Sequence, residues 1–184
     1  MSAPETITGE GISGHWQLDP QRSKIRFQVK LLWGLTTVSG EFTDYRGHLD
    51  LGADPSIELE IEAASLQTGN RRRDRHLRSK TFFGVEEYPH VRFVSDSVQP
   101  GPDGLTVRGR LSARGHSVVL ELEAEVRRRD GELEIEVSTG VDRRELGMTY
   151  SPLGMIAPRS ELFVNARLVA DVSRPAGSLE GVPT

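Results

Sequence analysis

From Ser23 onward, apolar and polar side chains alternate along the chain. In "SKIRFQVKLL", Ile25, Phe27, Val29 and Leu31 fall on one face and Lys24, Arg26, Gln28 and Lys30 on the other. Successive side chains of a strand point to opposite faces, so this run predicts a half-buried strand. "SIELEIEA" repeats the pattern, with Ile57, Leu59, Ile61 and Ala63 against Glu58, Glu60 and Glu62. "SVVLELEAEV" sets Val118, Leu120, Leu122, Ala124 and Val126 against Val119, Glu121, Glu123 and Glu125. "GELEIEVSTGV" sets Leu133, Ile135 and Val137 against Glu132, Glu134 and Glu136. "ELFVNARLVADV" puts Leu162, Val164, Ala166, Leu168 and Ala170 on one face.

The turn residues agree with these runs. Asp130-Gly131 lies between two alternating segments and predicts a two-residue hairpin. That register pairs Arg127 with Glu134, a favourable cross-strand contact, and Glu125 with Glu136, which needs water to screen it. "QPGPDG", residues 99–104, is a second turn-rich connection. Strands are expected over 14–19, 23–33, 36–51, 56–64, 90–98, 104–113, 117–129, 132–143 and 161–172. Short connections make them antiparallel, and one-sided alternation gives each a wet and a dry face. The expected fold class is all-β: an antiparallel sheet of about eight strands curled into a barrel, with room inside for side chains or one small ligand. A two-sheet sandwich fits the same pattern.

One stretch breaks the alternation. "GNRRRDRHLRSKTFFGVEEYP", residues 69–89, packs five arginines, a lysine and a histidine into residues 71–80 and then turns aromatic. Asn70 suits a helix N-cap, and the residues after it tolerate helix. One helix is predicted over 70–81, lying over the barrel, with Leu77, Phe82 and Phe83 as its plug. One leucine does not make the apolar face of a membrane-surface helix. Nucleic-acid binding would use the arginines with Tyr88 and the phenylalanines, but Glu86 and Glu87 follow at once and the outward strand glutamates repel phosphate.

Composition narrows the function. The chain's 184 residues suit one domain with a sizeable core. Net charge is −4, whereas a protein built to neutralise phosphates is usually basic. The absence of cysteine excludes disulfides, thiolate metal sites and cysteine nucleophiles. The five histidines, His15, His48, His76, His90 and His116, are never two or four residues apart, so none forms a local metal pair. "GEGISG", residues 9–14, follows polar coil rather than a strand and reads as leader, not as a dinucleotide loop. No nucleophile elbow, phosphate loop or acid–base pair stands out. Neither an enzyme, a metal site nor a cofactor is therefore expected. "MSAPETITGEGISG" lacks the basic region and apolar core of a signal peptide, and no apolar run approaches the ~20 residues that span a bilayer. Those features lead to an expected cytoplasmic protein with no stable membrane insertion. Residues 1–13 are expected to be a flexible leader, 14–172 the domain, and 173–184 a disordered tail.

Several blocks in order resemble the YceI-like family of bacterial lipid-binding proteins: "QLDPQRSKIRFQVK", "VSGEFTDYRGHLDL", "SLQTGNRRRDRHLRSKTFFGVEEYPHVRFVSDSV" and "VDRRELGM". The central block is the most specific, with "TGN", Arg73-Asp74, "HLRS" at 76–79, Phe82-Phe83, Val85 and "YP" at 88–89. "TYSPLGMIAPRSELF" departs from the family's usual tryptophan or asparagine. The resemblance implies an extended, lipocalin-like β-barrel with a helix over it. Its interior would hold a polyisoprenoid chain, such as an isoprenoid quinone or its precursor, or a fatty-acid derivative. That bound lipid is the only ligand expected, and the assembly a monomer or homodimer that does not bind nucleic acid.

On that reading, Ile25, Phe27, Val29, Phe42, Leu59, Ile61, Phe83, Phe93, Leu120, Leu122, Ile135 and Val164 line the tunnel, with Leu77, Phe82 and Met148 nearer its ends. Arg73, His76, Arg78 and Tyr88 are the candidates to meet a polar headgroup. Two other functions compete: an enzyme acting on the lipid, assisted by His76 or an arginine, and a nucleic-acid or protein-binding module that uses the basic helix.

Overall fold

The alternating runs pair into one antiparallel sheet that closes on itself. The structure, a computed structural model, describes residues 5–6 and 12–172. The strands are β1 (Glu5–Thr6), β2 (His15–Leu18), β3 (Lys24–Leu31), β4 (Thr36–Phe42), β5 (Tyr45–Asp50), β6 (Ser56–Glu62) and β7 (Leu66–Gln67). After helix α1 (Arg71–Arg78) come β8 (His90–Gly101), β9 (Gly104–Ala113), β10 (His116–Arg129), β11 (Glu132–Asp142) and β12 (Ile156–Ala170). Strand β12 closes the ring. One edge pairs with β11 and the other with β3 and then β2. That closure decides for a barrel over a sandwich. The expected leader falls mostly outside the described residues, but Glu5–Thr6 pairs with Arg128 and Arg127 of β10, and Ile12 is buried. The expected tail, 173–184, lies outside them.

Three wall strands are interrupted, and this is how the eleven strands β2–β12 make an eight-stranded barrel, while β1 adds to β10 beyond the end of the β9 ladder. Strands β2 and β3 run in line along β12, β4 and β5 in line along β3 and β2, and β6 and β7 in line along β5 and β4. The strand expected over 36–51 therefore breaks at residues 43–44, where the wall changes partner. The gap between β2 and β3 is mended by a side chain. The Arg167 N–H donates to Ser23 Oγ at 2.9 Å, which in turn donates to the Asp19 carbonyl at 2.6 Å. A hydroxyl thus replaces a missing ladder carbonyl, which gives the "LDP…S" segment a structural reason.

The hairpin after β10 has the expected register, Arg127 opposite Glu134 and Glu125 opposite Glu136. Asp130 (φ 53°) and Gly131 (φ 81°) are both left-handed, as a turn matched to strand twist requires. The charges are arranged differently from expectation. Arg127 donates to Glu125 at 2.9 Å and lies 3.6 Å from Glu136, so a guanidinium rather than water separates the two acids. Glu134 is met instead by Arg167 at 3.3 Å.

Helix α1 is shorter than the predicted 70–81. Asn70 does cap it, accepting from the N–H groups of Arg72 (3.0 Å) and Arg73 (3.1 Å). Ser79 turns extended and its hydroxyl takes the His76 carbonyl at 2.6 Å, which ends the helix. Strand β12 starts at Ile156, earlier than the expected residue 161, because Ile156 pairs with Leu31 across a bulge. Ala170, expected on the dry face, is exposed.

Candidate functional site: an apolar cavity with a buried floor

The inward side chains become less buried in one direction. On β3, Ile25 and Phe27 are buried while Val29 and Leu31 are half-buried. On β10 burial declines from Val126 and Ala124 to Leu122, Leu120 and Val118, and on β12 from Leu168 and Ala166 to Val164 and Leu162. The floor is at the end with the Asp130-Gly131 hairpin, where Trp16, Leu49, Leu105, Val126 and Leu133 fill the barrel. Toward the opposite end the side chains stand apart and leave a cavity of about 490 Å³. Small-molecule sites occupy roughly 300–1,000 Å³, so this volume can hold a ligand.

Most of the sequence-predicted residues face this cavity. Ile25, Phe27, Val29, Phe42, Leu59, Ile61 and Phe93 line it from one half of the wall, and Leu120, Leu122, Ile135 and Val164 from the other. Leu77, Phe82 and Phe83 reach it from the lid formed by residues 68–89, and Met148 from the loop before β12. The rings of Phe27 and Phe42 are 5.6 Å apart, and those of Phe42 and Phe83 are 5.9 Å apart edge-on. This chain of rings ties the wall to the lid.

The residues expected to meet a headgroup are distributed differently. Arg73 borders the cavity, but its Nε donates to Thr68 Oγ1 at 2.7 Å and its Nη2 to the Thr68 carbonyl at 2.8 Å. Arg78 is not among the lining residues. Its Nη2 donates to the Leu66 carbonyl at 2.6 Å, and its Nε is buried without a hydrogen-bond partner. Tyr88 borders a separate pocket with Lys80, Gly84, Arg114 and His116, and its hydrogen bond with Glu87 pushes the phenol pKa up. His76 is exposed at the mouth, edge-on to Phe82 (5.2 Å) and Tyr150 (5.7 Å). Two arginines of α1 therefore fasten the lid to β7 and Thr68, because a guanidinium can satisfy backbone carbonyls that lie outside the helix.

Arg143 was missed. It lies in the "DRRELGM" segment and is 5% exposed beside the cavity. Its Nε donates to the Ala157 carbonyl (2.9 Å), Nη2 to Ile156 (3.1 Å), and Nη1 to Tyr150 (3.0 Å) and Met148. Burial lowers its pKa, and the four carbonyls replace the water it has lost. It staples the loop 143–155 over the mouth. An alternating-strand pattern does not flag a loop arginine; the sequence signals are the position of "DRR" at a strand end and its place in the "VDRRELGM" block.

The barrel wall is also split at the mouth. The β10–β11 ladder covers Ala124–Arg129 against Glu132–Val137. Beyond it, residues 116–123 pair with β9 and residues 138–142 with β12. The loop 143–149 crosses this split: Arg114 donates to the Gly147 carbonyl, and Leu146 and Met148 are buried. Among the described residues no group of three or more histidines or carboxylates could hold a metal ion. None of their helices is long and apolar enough to cross a membrane.

Comparison with known proteins places this architecture. A UPF0312 protein of Yersinia enterocolitica is 30% identical over 124 residues, 64% of each chain. One from Photorhabdus laumondii is 33% identical over 110 residues, 58% of this chain and 57% of that one. The chain thus spans less than two thirds of the length of the curated relatives it matches. Among solved structures, Burkholderia cenocepacia BcnA superposes with a TM-score of 0.75 at 16% identity, covering 82% of this chain and 98% of that one. A polyisoprenoid binding domain from Saccharophagus degradans, implicated in plant cell wall breakdown, superposes with a TM-score of 0.70 at 13% identity, covering 85% and 98%. At these identities the likeness shows the shared barrel. The profile of the YceI-like domain matches residues 16–168, and the chain belongs to the YceI-like family.

Proposed function

We propose that this protein holds a long apolar lipid, an isoprenoid chain such as a quinone tail or a fatty-acid derivative, in the barrel cavity and does not convert it chemically. The observation that carries this reading is the cavity of about 490 Å³ walled by Ile, Leu, Val and Phe side chains. Each CH₂ moved from water into such a site contributes on the order of 0.8 kcal/mol. Ten of them give roughly 8 kcal/mol, comparable with the ~4–15 kcal/mol that association costs, so a long chain binds where a short one does not. The solved polyisoprenoid binding domain with the same barrel supports the ligand class. The non-enzymatic reading rests on the commitment of Arg73 and Arg143 to backbone carbonyls and of His76 to two aromatic rings.

Native mass spectrometry of the protein purified from bacteria, followed by organic extraction, tests the proposal. An extractable isoprenoid or acyl species of matching mass is expected. An empty protein that also takes up no added isoprenoid quinone overturns it.

A further inference from the structure

Two tight turns stand at the mouth: Leu32–Gly34 between β3 and β4, and Pro152–Gly154 before β12. They present large apolar side chains to water. Trp33 is 70% exposed, Leu35 84% and Leu153 85%, with Leu32 beside them. Turn chemistry does not explain this choice of residue. Leu32 (φ 50°), Trp33 (φ 55°) and Leu153 (φ 51°) occupy the left-handed region, where glycine, asparagine or aspartate fits with less strain. Burial does not explain it either, because these side chains cover little of the core.

The two turns form one rim. Leu31, at the base of the first, pairs with Ile156, at the base of the second. Leu31, Val38, Pro152 and Ile156 also line the cavity, so the exposed side chains continue its apolar surface outward. Residues 31–40 and 146–158 contain no charged side chain. At the turns themselves the bordering charges are cations: exposed Lys30 precedes the first turn and exposed Arg159 follows the second, while exposed Glu41 and Glu145 bound the far ends of the two segments. Helix α1, with exposed Arg71, Arg72 and Arg75, is joined to the second through the His76–Tyr150 ring contact.

We propose that this rim docks the barrel, mouth first and reversibly, onto the surface of an anionic lipid bilayer. Apolar side chains with tryptophan at the tip suit the interfacial zone of a membrane, and flanking Lys and Arg suit anionic headgroups. Separate projecting tips sink into a fluid bilayer, whereas a folded partner would need a matching pocket for each. Docking would let an apolar cargo pass between membrane and cavity without crossing water. In that respect the inference rests on the lipid-holding reading, although the rim itself does not.

The test is co-sedimentation with vesicles of phosphatidylcholine alone and of phosphatidylcholine mixed with phosphatidylglycerol, alongside native mass spectrometry of cargo. The wild type is expected to sediment with the mixed vesicles, less with the neutral ones, and less as salt is raised. Emission from Trp33 should shift to shorter wavelength on binding, while buried Trp16 stays constant. The double variant Trp33→Ala, Leu153→Ser should lose about tenfold or more in vesicle affinity yet keep its melting temperature and cargo. A wild type indifferent to both vesicles, or a double variant that binds as the wild type does, overturns docking whatever the cargo result. So does a dimer in ultracentrifugation that the double variant dissociates while vesicles are ignored, because the rim would then serve a second copy of the chain.

Discussion

Phe27 and Gly40 face each other in the β3–β4 ladder, and the phenyl ring occupies the space above the glycine. A Cβ on Gly40 would lie 2.4 Å from Phe27 Cζ and 2.9 Å from the Gln67 carbonyl. The Phe93 ring likewise covers Gly109, its diagonal neighbour in the β8–β9 ladder, with the Cβ position 2.5 Å from Phe93 Cζ. Each ring lies against the wall because a strand residue there has no side chain, and the lumen stays open as a result.

Gly40→Ala should therefore force the Phe27 ring off the wall or pull β4 from β7. The expected cost is about 1–3 kcal/mol of stability, the usual scale of overpacking, together with less bound lipid. Urea denaturation and lipid stoichiometry measure the two effects. Phe27→Leu in the same chain should recover part of the loss, a coupling that a double-mutant cycle reads directly. Strict additivity of the two substitutions would show that the ring does not depend on the glycine.

Filling the cavity separates binding from folding. Val164 is half-buried, pairs with Ile25 and Val137, and lines the cavity. Val164→Trp should occupy lumen space without burying a polar group, so the melting temperature holds while uptake of a long chain falls. Phe93→Asp should abolish binding too, but by placing a carboxylate among buried apolar residues, at the expense of the barrel. Arg72→Ala, on an exposed part of α1, should leave lipid uptake unchanged. Native mass spectrometry with added isoprenoid quinone reads all three. Undiminished uptake by Val164→Trp would mean that the lipid lies elsewhere.

The lid is held by a latch at Thr68. Asp74, buried in an otherwise largely exposed helix, accepts from the Thr68 N–H at 2.9 Å and from its hydroxyl at 2.5 Å. Arg73 donates to the same hydroxyl oxygen and to the Thr68 carbonyl. Asp74→Ala leaves the Thr68 N–H without its acceptor, at a cost of about 1–3 kcal/mol concentrated in the lid. Amides of residues 68–78 should exchange faster and bound lipid should dissociate sooner, while the floor strands keep their protection. Equal loss of protection in β11 would mean that the lid and barrel open as one unit.

The barrel was readable from the sequence because a period of two with one wet face has few solutions, and the Asp130-Gly131 turn fixed the β10–β11 register. The apolar lining followed from the same alternation. Alternation says nothing about where a long guanidinium reaches, so the hydrogen-bond partners of the charged residues at the mouth are not readable from it. Arg73 and Arg78 looked like headgroup ligands in a basic run, yet the carbonyls they satisfy lie in β7 and at Thr68, which only the folded chain brings near. Arg143 was overlooked for the same reason. The breaks at 19–23 and 43–44 carry polar side chains that mend the ladder, so they read as continuous or as loop until the partner strand is known.

Acid should loosen the mouth before neutral chemistry would. Asp142 ends β11, at the entrance to the loop stapled by Arg143. Its Oδ1 accepts from the Arg144 N–H (2.9 Å) and Nε (3.0 Å), and its Oδ2 from Nη2 (2.6 Å). The Arg144 guanidinium holds the carboxyl pKa down to about 2. An unfolded aspartate titrates near 3.9, so the folded value is the lower one. The contribution to stability is therefore present above about pH 4 and is lost as pH falls toward 2. Asp19 and Glu132 shift in the same direction, because the Arg22 guanidinium donates to both. Denaturation midpoints should be flat from neutral pH to about 5 and fall below that. Asp142→Asn should show a shallower fall, and exchange over residues 143–150 in the wild type at pH near 2 should approach that of the variant. All three ion pairs lie at the surface, so added salt should shrink the difference. An acid slope identical in wild type and Asp142→Asn would mean that the pair does not contribute to holding the mouth.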